Sequence, residues 1–368
     1  MVLVAALAAL VIGCGGGGGG GSSSTTSTTA TTSTTATTST TSTTSTTSTT
    51  STTATTTGST AGVLTPNAIF YSDTPDGGNS MNLNQVNPDG TGQKVLANLP
   101  ANYQGIGLNP AVQGQMAFGY SPSGATNPTF GIYLNNKISP SGATTLVAPA
   151  YSFIGSIQIS LDGANVYYIA AIGAGDSQLF KVSINGGTPA VLDTAYTANV
   201  DVVNGSMVTY DKLYLGESAI FVRPTSVSGT PVQLTTDSAN NYEWPQFSKD
   251  GARIAFVSDK TDAQFEVYTM SATNGANMLQ ITSNPTINKT DGVAFSADGT
   301  TVAYIGLDTV SSATGVYRSG MIGSGSASTL IVNDQNIEPG LYWTSSSGRA
   351  RGGTTAYVAR RRHNGLVP

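Results

Sequence analysis

The chain is 368 residues long with a formal charge of −5, one cysteine and one histidine. A single cysteine excludes an intrachain disulfide, and a single histidine leaves little for a zinc site or a histidine base beside a nucleophile. Only 10% of residues are charged, against about 25% in an ordinary soluble domain, and the negative balance argues against a general nucleic-acid binder.

Val2 to Ile12 is an unbroken apolar run followed by Gly13 and Cys14. It is too short for a bilayer core, which needs about 20 residues, but suits the apolar part of a signal peptide. Val11-Ile12-Gly13-Cys14 resembles the bacterial lipobox, whose cysteine is acylated and becomes the new N-terminus. The resemblance implies a signal segment over 1–14 and a membrane anchor on Cys14; a cleaved secretory signal is the alternative. Nothing basic precedes the run, and Val11 stands where Leu is usual, so a start codon further upstream is expected.

Residues 15–61 read as a tether. Gly15 to Gly21 is all glycine, and Ser22 to Thr57 holds only Ser, Thr and Ala. Without large apolar side chains such a segment cannot offset its ordering entropy. As a coil its roughly 40 residues span about 35 Å. A stalk, with or without O-linked sugar, and a passively expanded repeat both fit this composition.

Over 62–359 a short apolar strand repeatedly enters a tight turn and a more apolar strand leaves it. The turn glycines are Gly114, Gly163, Gly205, Gly251, Gly299 and Gly348, at steps of 49, 42, 46, 48 and 49 residues. A period in the forties with four strands per unit predicts an all-β propeller. The first strands of the five full units are expected at Gly105–Asn109, Ser156–Leu161, Asn199–Val203, Trp244–Ser248 and Gly292–Ser296. Ahead of them, Ala68–Ser72, Met81–Asn87 and Lys94–Ala97 lack a first strand, which Gly340–Ser345 supplies from the other end. Sharing that blade gives six. Thr354–Val358 reads as one more strand, so seven blades is the alternative. Residues 360–368 form a tail whose Arg360-Arg361-Arg362-His363 cluster suits anionic lipid, a phosphate or plain solvent.

The segment Pro245-Gln246-Phe247-Ser248-Lys249-Asp250-Gly251, then Ile254-Ala255-Phe256-Val257-Ser258-Asp259 and Val267-Tyr268-Thr269-Met270, resembles the WD40-like repeats of the TolB propeller family. The match is specific here and good around Gly163 and Gly299, although Leu161, Lys249 and Ala297 replace the usual proline. It implies a propeller of that type and not the TolB–Pal system, since the tether stands where TolB carries its α/β domain.

Little points to catalysis. His363 lies in the tail, and no Gly-x-Ser-x-Gly elbow is present. Asp73, Asp76, Asn79 and Asp89, and Asp259 with Asp262, offer oxygen atoms without the spacing of a calcium loop; turn chemistry accounts for them. No cofactor and no metal site is expected. Glu243, Trp244, Tyr342 and Trp343 fall where first strands begin, hence near the axis, and are candidates for ligand contact or for packing between blades. The expected protein is an exported, monomeric lipoprotein whose propeller binds a protein or an envelope polymer. The rival reading is an extracellular glycan-active enzyme.

Overall fold

The computed structural model describes residues 65–351 apart from 76–79, 101, 110–114, 123–127, 136–141, 195–196, 204–205, 262–263, 322–327 and 345–349. Cys14, the tether, Asp76, Asn79, Asp262, Thr354–Val358 and the basic tail lie outside the described residues. Within them all regular structure is strand.

Three strands open the chain: β1 (Ile69–Asp73), β2 (Ser80–Val86) and β3 (Lys94–Pro100). Blade one holds β4 (Tyr103–Leu108), β5 (Met116–Tyr120), β6 (Phe130–Asn135) and β7 (Thr144–Tyr151). Blade two holds β8 (Phe153–Ile159), β9 (Asn165–Ala171), β10 (Gln178–Ser183) and β11 (Ala190–Asp193). Blade three holds β12 (Thr197–Val203), β13 (Met207–Tyr214), β14 (Glu217–Pro224) and β15 (Val232–Gln233). Blade four holds β16 (Tyr242–Phe247), β17 (Arg253–Ser258), β18 (Glu266–Ser271) and β19 (Leu279–Gln280). Blade five has a broken first strand, β20 (Ile287–Asn288) and β21 (Val293–Phe295), then β22 (Thr301–Asp308), β23 (Thr314–Gly320) and β24 (Thr329–Asn333).

The last long strand, β25 (Ile337–Thr344), pairs antiparallel with β1, with Ile69 opposite Trp343 and Phe70 opposite Tyr342. Chain start and chain end therefore share blade six, in the order β25-β1-β2-β3. A two-residue β26 (Ala350–Arg351) lies on the free edge of β25. The six antiparallel sheets make a six-bladed β-propeller, as the turn spacing predicts.

Each second strand is apolar on both faces because it serves two neighbours. In β17, Ile254 and Phe256 join the core shared with blade three, while Ala255 and Val257 join the core shared with blade five. The same division repeats round the ring. Phe70 and Leu83 meet Tyr103 and Phe118 across the blade six–blade one seam, and Ile69 and Tyr71 meet Ala303 and Ile305 on the opposite seam. Five blades also stack an aromatic on the second strand against its cross-strand partner on the third. These are Phe118–Tyr133, Tyr168–Phe180, Tyr210–Phe221, Phe256–Tyr268 and Tyr304–Tyr317, with ring centroids 5.3 to 6.0 Å apart. Such pairs add about 0.5–1.5 kcal/mol beyond their burial. In blade six the residue opposite Tyr71 is Asn84.

The turn chemistry is repeated atom for atom in three blades. Ser248 Oγ donates to Asp250 Oδ1 at 2.6 Å, which also accepts the Ala252 N–H at 3.0 Å, and Gly251 has φ of 72°. Ser160, Asp162 and Gly163 do the same, as do Ser296, Asp298 and Gly299. Only glycine takes that left-handed position without strain.

Candidate functional site

First strands begin earlier than the apolar pattern marks. They start at Tyr103, Phe153, Thr197, Tyr242 and Ile337, where the pattern indicates Gly105, Ser156, Asn199, Trp244 and Gly340. The reason is a bulge, because an extra residue breaks the alternation by which a strand is read. The register slips between Gln104 and Ile106, Ile154 and Ile157, Thr197 and Val200, and Glu243 and Gln246. Blade five interrupts its strand between Asn288 and Val293, and blade six slips between Glu338 and Leu341. All six inner strands are thus bent at one level, near the end at which they begin. That end is the mouth.

Glycine fills most of this level. Gly105, Gly292 and Gly340 have φ of 61°, 123° and 115°. A Cβ on Gly105 would lie 2.5 Å from the Gly155 carbonyl oxygen, so backbone meets backbone there. Blades three and four depart from this rule, blade three with Ala198 and Asn199 at its slip and blade four with Trp244 and Pro245. Trp244 holds φ of 57° with a bulky side chain, a conformation that costs about 1–2 kcal/mol. Its N–H donates to Asp211 Oδ2 at 3.0 Å, and its half-buried indole packs over the seam between blades four and five.

Carboxylates gather around this bend. Glu243 is partly exposed yet enclosed by protein, and burial together with Asp211, Asp291 and Asp259 pushes its carboxyl up to about 8, against a hydrogen bond from Ser218. Glu338 accepts from Thr74 Oγ1 at 2.8 Å; burial, then Asp291 and Asp73, raise it to about 6. Asp73 is likewise raised to about 6 by burial and Asp334, although Asn82 and Asn84 donate to it. Burial raises Asp211 as well, in spite of its donors. The acids therefore crowd one another on blades three to six, where the corresponding part of blade one carries Gln104 and that of blade two Ile154.

Of the four candidate contact residues, Glu243 and Trp244 stand side by side at this mouth. Trp343 does not. It lies at the far end of β25, 3% exposed, with its indole N–H donating to Asn67 Oδ1 at 2.9 Å in the seam between blades five and six. Tyr342 is placed by its backbone opposite Phe70. The candidate oxygen ligands hold other partners: Asp89 accepts from Thr91, and Asp259 accepts the Asn241 N–H at 2.7 Å and its amide at 3.0 Å. Among the described residues no three His, Cys, Asp or Glu side chains converge closely enough to hold a metal ion.

Asp211 and Asp291 were not among the sequence candidates. Asp211 left a signal, since it replaces the apolar residue that other blades place after the same aromatic: Ile169, Val257 and Ile305. A charge in mid-strand, buried on both faces, is the mark to look for.

No family model matches the sequence, and no curated protein does. Solved structures do match. The TolB-type protein of Agrobacterium tumefaciens superposes with a TM-score of 0.58 at 15% identity, over 79% of this chain and 98% of that one. The likeness is one of fold. TolB from Acinetobacter baumannii gives 0.53 at 16% identity, over 78% of this chain and 63% of its own. A puromycin-hydrolyzing peptidase from Mycobacterium tuberculosis gives 0.51 at 12% identity, over 73% of this chain and 45% of its own. The shared fold makes up nearly all of the Agrobacterium chain and less than half of the peptidase chain.

Proposed function

We propose that this chain is an exported, membrane-tethered binding protein, monomeric, whose TolB-like propeller engages a protein or an envelope polymer at the acidic mouth. The carrying observation is the conjunction at the bend: Trp244 held in a left-handed conformation by Asp211, beside the raised carboxyl of Glu243. Backbone strain of this kind persists where surrounding structure fixes it, and it clusters at sites of recognition. The lipobox-like Val11–Cys14 and the Ser/Thr tract supply the anchor and its reach. Crosslinking with mass spectrometry in native cells tests the reading. A partner crosslinked near Glu243 in the natural protein and lost in the Trp244→Gly variant supports it; a partner retained unchanged sinks it. Intact mass on Cys14 tests the anchor separately.

One observation favours the second reading, a glycan-active enzyme. Glu243 and Glu338 are both raised, to about 8 and about 6, and paired carboxyls of unequal acidity are what glycoside cleavage employs. Release of reducing ends from envelope polysaccharide by purified protein, abolished in Glu243→Gln, would establish it. A peptidase reading gains nothing from the sequence, whose one histidine is His363.

A further inference from the structure

We infer that the hairpin joining β13 to β14 docks a partner protein, one whose surface sets an apolar pocket among lysines or arginines. The hairpin stands out from the mouth. Lys212 is opposite Thr197, where β12 starts, yet β13 and β14 run on through two further pairs, Leu213–Ser218 and Tyr214–Glu217. In blades two and four the second strand ends level with the start of the first, Ala171 opposite Phe153 and Ser258 opposite Tyr242. Leu213, Tyr214 and Leu215 are consecutive and all exposed, Leu215 at 75%. Single surface aliphatics are ordinary, whereas three in a row on a projecting tip mark a contact surface.

The tip is strained to present this face. Leu215 and Gly216 have φ of 55° and 99°, the paired positive values of a type I′ turn, whose first position favours asparagine, aspartate or glycine. Leucine carries the left-handed penalty there with little packing to offset it.

Charge decides the occupant. Alternation along β13 puts Leu213 on the face that carries Asp211, and Ser218, opposite Leu213, hydrogen-bonds Glu243. Asn241 accepts the Ser218 N–H at 3.2 Å and donates to Asp259 at 3.0 Å. Glu217 thus lies beside the tip and Asp259 beside its base. Among the described residues the lysines at this end, Lys212, Lys260 and Lys289, each sit on a carboxylate. An apolar tip among acids repels an anionic membrane and complements a basic, apolar protein surface. The partner's cations meet Glu217 and Asp259 at the rim, not Glu243, whose hydrogen-bond partner is Ser218. The inference rests on the reading of this chain as a binding protein and selects a protein over a polymer.

In native cells, p-benzoylphenylalanine at position 214 of the full chain should crosslink a protein segment that carries both apolar side chains and Lys or Arg. The yield should be about tenfold above that from the same probe at Leu279, which is 44% exposed on an outer strand. Leu215→Asn should cut the yield about tenfold without lowering the urea midpoint, because Asn-Gly is the favoured pair for this turn. A crosslink to phospholipid, glycan or an acidic segment overturns the inference. So do equal yields at 214 and 279, a yield that Leu215→Asn leaves unchanged, and a lowered midpoint, which would show that Leu215 packs. With purified chain, an amphipathic Lys/Leu peptide should bind about tenfold more tightly than its Lys/Ser and Glu/Leu counterparts; equal binding counts against the docking. If Leu215→Asn abolishes the crosslink and Trp244→Gly does not, the hairpin docks the partner and the acidic mouth is not the binding site. The reverse result leaves the mouth reading standing and removes this one.

Discussion

The carboxylate of Asp211 accepts the main-chain N–H of Trp244 at 3.0 Å, and with it the N–H and side-chain amide of Asn199 at 2.6 and 2.7 Å. One buried acid thus fixes the bends of two neighbouring blades. Asp211→Ala leaves those donors without their acceptor, so a loss of about 2–4 kcal/mol is expected. Urea unfolding gives the value, and the emission of Trp244, one of only two tryptophans, reports the bend directly. Unchanged stability together with unchanged emission would contradict the assigned role.

Glu243 sets a pH dependence. Its carboxyl is raised from 4.5 to about 8 in the folded chain, so between these values the folded state holds a proton that the unfolded state has released. Stability therefore falls as pH rises across that window, by at most about 1.4 kcal/mol per unit from this group. Glu243→Gln should flatten that stretch of the profile. A natural protein whose stability rises steadily from pH 5 to pH 8 would run against this sign.

The left-handed backbone of Trp244 separates strain from packing. Trp244→Ala keeps the strain and loses the indole; Trp244→Gly loses both. Glycine should therefore be the more stable of the two by roughly 1 kcal/mol. Denaturation midpoints of the two variants, measured side by side, decide it, and alanine at or above glycine would mean that the bend relaxes.

Between blades four and five, Lys289 Nζ lies 2.6 Å from Glu266 Oε1, both side chains at most 1% exposed. Lys289 also donates to the Asn284 carbonyl at 2.8 Å, and Thr282 Oγ1 donates to the other oxygen of Glu266. Removing one partner strands a buried charge. Lys289→Met should cost about 3–5 kcal/mol, and adding Glu266→Leu should recover much of it. A double-mutant cycle that came out additive would show that the two charges are not coupled.

The architecture was legible because a four-residue Asp-Gly hairpin turn and a doubly buried strand each leave a local signature. Asp-Gly at 162–163, 250–251 and 298–299 and the apolar runs behind them are enough to count blades. The bulges left no such mark. Gly105 and Gly340 look like strand starts, and only long-range register shows that each strand began earlier. Trp343 and Trp244 were indistinguishable as aromatics at inner strands, because three-dimensional position along β25 and β16 separates the packed one from the half-exposed one. Lys289 was hidden for a similar reason: its partner Glu266 is 23 residues away, and neither residue type is ordinarily found buried.

The seam between β1 and β25 has a consequence for biogenesis. Ile69 and Tyr71 emerge near the beginning of synthesis, yet their partners Leu341 and Trp343 arrive only after nearly three hundred further residues have been made. Until then blade six lacks its inner strand and offers a bare apolar edge to any passing chain. A nascent polypeptide in this state cannot be a finished disc, so the ring closes only once β25 has been made and has found β1.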